Sequence, residues 1–357
     1  MLYCIVLGTR PEIIKMSPLI RACESRQYDY FVLHTGQHYS YELDRTFFEQ
    51  LELPEPKYNL DVGSGTQATQ TAKILTGIEE ILLKEKPDVV FVQGDTNTVL
   101  AAALAASKLH IKIGHVEAGL RSFDRNMPEE INRIIADHLS DYLFPPTEYS
   151  CNQLLSEGIG DEKILITGNT VVDAVCQNLA LSKKHLTVLE NFGLKTNEYF
   201  LVTSHRAENV DVKERLSGIL DAVRILSEKY NMPVLFPLHP RTEKRIMEFG
   251  LSLKGIQVTK PLGYLEFLQL ESHARLILTD SGGLQEEGCI LGTPCVTLRD
   301  NTERQETVNV RANILAGTDT KMIILCAEKM MNNAVSWKNP YGGGDAAVKI
   351  LDFVGGK

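Results

Sequence analysis

Leu276-Ile277-Leu278-Thr279-Asp280-Ser281-Gly282-Gly283-Leu284-Gln285-Glu286-Glu287-Gly288 passes from a short aliphatic run, through a turn of small residues, into a stretch with helical spacing. An apolar run this short, with no polar alternation, reads as a strand buried on both faces of a parallel sheet. The small residues after it leave the N–H groups of Ser281 to Gly283 open at the start of a helix, where the dipole favours an anion. Open parallel sheets hold their ligands beyond the carboxyl ends of the strands, so this one stretch also says where function should be sought.

Working outward, the same strand-then-helix unit recurs along the whole chain. Leu2–Leu7, Tyr30–His34, Val89–Gln93, Ile111–Val116 and Tyr142–Phe144 come before position 150, and Ile164–Thr167 reads as a last strand of that half. Phe200–Thr203, Val234–Pro237, Ile256–Val258, Leu276–Thr279 and Cys295–Leu298 repeat the pattern. The expected fold class is α/β, with two Rossmann-like parallel-sheet αβα domains and a cleft between them. Residues 1–169 form the first domain and 170–343 the second, with the turn Gly168-Asn169-Thr170 as hinge before a helix over Val171–Leu181. Ser182–Asn197 is polar and weakly patterned, which predicts a surface connection. Residues 344–357 carry a closing amphipathic stretch, Asp345–Val354, able to pack on either domain.

The 357 residues, 43% of them hydrophobic, suffice for two cores. A formal charge of −9, from 37 basic and 46 acidic residues spread along the chain, argues against nucleic acid or an anionic membrane as partner. It leaves room for a small anionic ligand where cations converge. No segment approaches the roughly 18 apolar residues of a membrane span, and the N-terminus lacks the basic lead of a signal peptide. The seven cysteines fall at unrelated spacings with no CxxC pair, which fits a reducing cytoplasm and no metal. His34 and His38 lie four apart around Gly36 without the HExxH glutamate, so they do not make a zinc motif.

The strand ends carry the chemistry. After the first strand, Gly8-Thr9-Arg10-Pro11-Glu12 opens a helix with Lys15 one turn in, placing two cations near a helix start. It is no GxGxxG, so a nicotinamide cofactor has no support, and no cofactor is expected. The next strand ends in Gly94-Asp95-Thr96-Asn97, where Asp95 is either a helix cap or a functional acid. Its neighbour ends in His115-Val116-Glu117, and Pro128-Glu129-Glu130 starts the following helix, giving a second and a third carboxylate. These three acids can carry protons or chelate Mg²⁺. In the second half, His205-Arg206 pairs an imidazole with a guanidinium at a strand end, as an anion site would. His239-Pro240-Arg241 repeats that chemistry more weakly. Glu286 and Glu287, one turn into the helix after Ser281-Gly282-Gly283, can accept from ribose hydroxyls, while Arg299 and Arg304 add cations.

Taken together, GTRPE at 8–12, GDTNT at 94–98, HVEAGLRS at 115–122, MPEEINR at 127–133, TGNTVVDA at 167–174, HRAEN at 205–209, TDSGGLQEE at 279–287 and NPYGGGDA at 339–346 resemble the non-hydrolysing UDP-N-acetylglucosamine 2-epimerases, in that family's order and over almost the whole chain. The resemblance implies a GT-B-like fold with the final helix crossing back to the first domain. It also implies interconversion of UDP-N-acetylglucosamine and UDP-N-acetylmannosamine for surface-polysaccharide synthesis, usually by a homodimer. By the same resemblance Asp95, Glu117 and Glu129 form the acid/base group, and His205 and Arg10 steady the diphosphate. Lys15, Phe267, Ser281, Gly282, Gly283, Glu287 and Arg304 match the family's UDP contacts, with Phe267 beside the uracil. Arg206 joins the UDP-binding set. Gln37, Glu130, Arg206 and His239 match the second, regulatory site at which bacterial members bind UDP-N-acetylglucosamine as activator. Ser40 and Thr66 replace the glutamine and arginine of that pattern, so the resemblance does not extend activation to this chain.

Carbon 2 of the sugar has no adjacent carbonyl, so a side chain cannot simply remove its proton. Expelling UDP from carbon 1 acidifies that proton and leaves a 2-acetamidoglucal, to which UDP can add again. Such a route requires cations on the diphosphate and carboxylates around carbon 2, and the sequence has both. The competing readings are a GT-B glycosyltransferase, for which three carboxylates are superfluous, a hydrolysing epimerase releasing free sugar, and a non-catalytic nucleotide-sugar sensor, which leaves the carboxylates unexplained.

Overall fold

The structure, a computed structural model, describes residues 1–37, 41–332 and 337–356. His38 and Ser40 lie outside the described residues. The chain forms two compact units, Met1–Gln177 with Tyr341–Lys357, and Asn178–Pro340.

The first unit is built on β1 (Leu2–Leu7), β2 (Asp29–His34), β3 (Tyr58–Asn59), β4 (Val89–Gln93), β5 (Lys112–Val116) and β6 (Tyr142–Phe144). They form one parallel sheet in the order β3-β2-β1-β4-β5-β6. Every residue of β4 is buried, as expected of a central strand covered on both faces. One covering layer joins Ile74, Ile78 and Leu82 of the helix Gln67–Glu85 to Ala101, Ala102 and Ala105 of the helix Asn97–Lys108, over Val90 and Val92. The closing helix, Ala346–Gly355, belongs to this unit. The buried Asp173 carboxylate accepts from the N–H groups of Ala346 and Ala347 at its start, at 3.3 and 3.1 Å, and Phe353 packs edge-on against Tyr142 and Phe144.

The second unit repeats the plan with β7 (Phe200–Thr203), β8 (Val234–Pro237), β9 (Gln257–Thr259), β10 (Leu276–Thr279), β11 (Cys295–Thr297) and β12 (Asn313–Leu315). Its parallel order is β12-β11-β10-β7-β8-β9. The order in which strands are added thus reverses once in each sheet, between β1 and β4 and between β7 and β10. Such switch points are where open α/β sheets bind ligands.

Two sequence expectations need correction, and two strands were missed. Ile164–Thr167 is no strand: it makes a single bridge, Leu143 to Ile164, because β6 is three residues long and Ile166 is left exposed. Ser182–Asn197 is not a surface connection. The preceding helix runs Thr170–His185, a short helix Val188–Phe192 follows, and Val188 and Leu194 enter a core with Tyr199, Leu235 and Leu270. Ser182, fully buried, donates to Leu265 O at 2.7 Å. Two strands, β3 and β12, gave no apolar run to read because they are sheet edges of two and three residues.

Candidate active site

In the first unit, the turns after β1, β4 and β5 carry the candidate acids. Gly94 turns the chain out of β4 with φ +80°. Thr96, not Asp95, caps the helix that follows, accepting from Val99 N–H at 3.4 Å. Asp95 is therefore released from the capping role, and its carboxylate instead accepts from Arg133 Nη2 at 2.5 Å. Asn132 donates to the Asp95 carbonyl at 2.9 Å. One strand over, Glu117 stands just past β5 with φ +66°, a conformation uncommon for a side-chain-bearing residue and concentrated at functional sites. It is buried, and both of its oxygens accept from Lys15 Nζ, at 2.8 and 2.7 Å. The Gln93 amide, at the end of β4, donates to it as well. Lys15, matched from sequence to UDP, thus sits with the candidate acid Glu117. Glu129 is exposed in the first turn of the helix Pro128–Leu139. Arg10 opens the helix Arg10–Ser25, its guanidinium 5.8 Å from the Phe47 ring centroid.

In the second unit, register places Thr203 of β7 beside Thr279 of β10, with their hydroxyls 2.6 Å apart. The residues that follow therefore meet. Asp280, fully buried, accepts from Ser204 Oγ at 2.9 Å, from His205 N–H at 3.0 Å, from Arg206 N–H at 3.1 Å and from Asn209 at 3.1 Å. The His205 ring lies over the same carboxylate, Nδ1 to Oδ1 3.2 Å. Arg206 Nε donates to the Asp280 carbonyl at 2.9 Å, and Nη2 reaches Glu303 at 3.3 Å. The helix Gly282–Leu291 starts at Ser281, whose side chain makes no cap, so the first-turn N–H groups are left for an anion. A Cβ placed on Gly282 would meet nothing within 4 Å, so the space over this helix start is open.

A family model described as UDP-N-acetylglucosamine 2-epimerase matches residues 21–355. The chain belongs to this family. It is 58% identical over 354 residues to the UDP-N-acetylglucosamine 2-epimerase of Methanocaldococcus jannaschii, covering 97% of each chain. The solved structure of UDP-GlcNAc 2-epimerase from that organism superposes over 100% of both chains with a TM-score of 0.92 at 55% identity. A second structure of that epimerase, in complex with UDP-GlcNAc and UDP, gives 0.86 at 57% identity over 100% of both chains. Together with the two parallel sheets, these neighbours establish the GT-B-like fold of the epimerase family.

Within this member of the family, the residues matched to a regulatory site divide. Gln37 and Glu130 are buried and serve the first unit's own loops. Gln37 Oε1 accepts from Thr98 Oγ1 at 2.9 Å. Glu130 accepts from Ser122 N–H at 2.8 Å, from Phe123 N–H at 2.9 Å and from Arg133 at 2.8 Å. Burial alone would raise its pKa, but those donors hold it below the ordinary carboxylate range. Thr66 caps the helix Gln67–Glu85. Arg206 and His239 are in the second unit, the His239 ring centroid 6.0 Å from that of His205. Burial lowers the His205 pKa, Asp280 opposes this, and His239 and Arg206 lower it further.

Several matched UDP contacts have partners of their own. Glu286, buried, pairs with Arg304 at 3.1 Å through one of its two oxygens. Glu287 faces Tyr264 and the buried Glu271, whose proton is held well above the usual range by burial and by Glu287. Phe267 packs half-buried against the Leu270 and Ile277 core. Arg299 is buried and pairs with Glu303 at 2.6 Å; burial would raise the Glu303 pKa, but Arg299, a backbone hydrogen bond and Arg206 together hold it down to about 2.

Sequence reasoning assigned no role to Glu12, Gln93, Arg133 or Asp280, although all but Gln93 stand inside motifs it quoted. Glu12 is the most informative. Buried at the start of its helix, it accepts from Gly8 N–H at 2.8 Å, Thr9 Oγ1 at 3.0 Å and Thr96 Oγ1 at 2.6 Å, tying the Arg10 turn to the Asp95 turn. Burial lifts its pKa to about 7 against those hydrogen bonds.

Proposed function

We propose that the chain catalyses the reversible 2-epimerisation of UDP-N-acetylglucosamine to UDP-N-acetylmannosamine without net hydrolysis, as a homodimer. The observation that carries this reading is the pair of carboxylates at the ends of adjacent strands, Asp95 after β4 and Glu117 after β5, each matched with its own cation. The second unit's uncapped helix start and its His205-Arg206 pair are suited to a diphosphate. The ligands named for the Methanocaldococcus jannaschii complex point the same way.

In the reaction, a carboxylate of the first unit takes the proton from carbon 2. The freed electron pair forms the carbon 1–carbon 2 double bond, and the carbon 1–oxygen bond to UDP breaks. The departing diphosphate gains charge, which the N–H groups of the Gly282 helix, Arg206 and Arg10 stabilise. A carboxylate then returns a proton to the opposite face of carbon 2 while UDP adds to carbon 1. Asp95, Glu117 and Glu129 are the residues available for these two transfers.

Incubation with UDP-N-acetylglucosamine in D₂O, without NAD or acceptor, is the test. The expected product is the manno epimer of the nucleotide sugar carrying deuterium at carbon 2. Unlabelled epimer would exclude the elimination route, and free sugar as main product would make the enzyme a hydrolysing one.

A further inference from the structure

His115 is fully buried at the end of β5, flanked in the sheet by Val92 and Leu143. Its Nδ1 lies 2.7 Å from Asp137 Oδ1 and its Nε2 2.8 Å from the Gly94 carbonyl. A carboxylate and a carbonyl only accept, so both ring nitrogens carry a proton and the ring is an imidazolium. The carbonyl it holds belongs to the residue directly before Asp95. Asp137 Oδ2 accepts from Gly119 N–H, two residues past Glu117, at 3.2 Å, and from Arg121 Nη1 at 2.7 Å. Arg121 is tied in turn to Glu157 at 2.6 Å. Asp137 itself stands on the helix Pro128–Leu139, whose first turn carries Glu129.

We propose that the His115–Asp137 pair is the positioning hub of the acid/base group, a doubly donating imidazolium that fixes the Asp95 turn and the Glu117 turn to the helix bearing Glu129. Neither residue is placed to touch substrate. Their role is geometric, and it rests on the function proposed above. Loss of one ring proton would break one of the two links and leave a buried acceptor unpaired. The charges facing the ring are Asp137 from the helix and Asp95 from the β4 turn, with Arg121 and Glu157 acting through Asp137.

His115→Gln keeps a donor near the Nε2 position, His115→Asn keeps one near Nδ1, and Asp137→Asn removes the counter-charge while leaving an acceptor for Gly119. In the full chain each variant is measured for kcat, carbon 2 deuterium exchange, UDP affinity and thermal unfolding, with kcat followed from about pH 6 to about pH 9. The expected result is a kcat lower by about 10²-fold, the scale of a misplacement near 1 Å, with UDP affinity unchanged. In Asp137→Asn the alkaline limb of kcat moves to lower pH, because the imidazolium has lost its partner. Folded variants with wild-type kcat and an unshifted profile would overturn the proposal, as would failure of all three to fold, which makes the pair a folding element only. Wild-type enzyme that exchanges no carbon 2 proton removes instead the proposed function on which the hub rests.

Discussion

Both oxygens of Glu117 accept from the Lys15 ammonium, at 2.8 and 2.7 Å, across 102 residues of sequence. The lysine is one turn into the first helix and the glutamate is at the end of the fifth strand, so the pair forms only when the sheet does. It also fixes the position of a carboxylate held at positive φ.

Removing the cation takes the charged donor from both oxygens of a buried carboxylate. Lys15→Met should destabilise the protein by about 3 kcal/mol, the scale for breaking one side of a buried pair, as read from urea unfolding. Lys15→Met with Glu117→Gln should regain most of that stability while epimerisation stays lost. A double variant no more stable than the single would show that the cost does not come from the stranded carboxylate.

Glu12 predicts a pH dependence of folding. Its pKa rises from 4.5 to about 7 on folding, chiefly through burial. Between those values the folded state binds more protons than the unfolded one, so stability is fully present below about pH 4.5 and falls as pH rises to about 7. The shift corresponds to about 3 kcal/mol at most. Glu12→Gln mimics the protonated form, since an amide can donate to the Thr96 hydroxyl while its oxygen accepts from Gly8. Its unfolding free energy should therefore fall less over that window, and a profile parallel to wild type would refute the assignment.

Gly94 and Gly119 share a backbone conformation, φ +80° and +79°, but not a packing environment. A Cβ on Gly94 would meet nothing within 4 Å, whereas one on Gly119 would lie 2.3 Å from Ser150 O. Gly94→Ala should cost about 1 kcal/mol of backbone strain. Gly119→Ala adds a collision with backbone and should cost roughly 3 kcal/mol or more. Thermal unfolding of the two variants side by side measures the difference.

The sequence by itself determined the two strand-helix alternations, because a strand buried on both faces must be apolar throughout and so announces itself locally. It also placed Asp95, Glu117, Glu129, His205 and Ser281 at strand or helix ends, since turn residues and apolar runs mark those ends within a few positions. Edge strands such as β3 and β12, which carry no such run, were illegible for the same reason. Only the tertiary structure decided which charge meets which: Lys15 with Glu117, Arg133 with Asp95, Arg304 with Glu286, and Asp280 with His205. Periodicity reports which face a residue lies on, whereas these partners follow from strand order. Asp280 reaches His205 because β10 lies beside β7, a neighbour 76 residues away along the chain at Thr203 and Thr279.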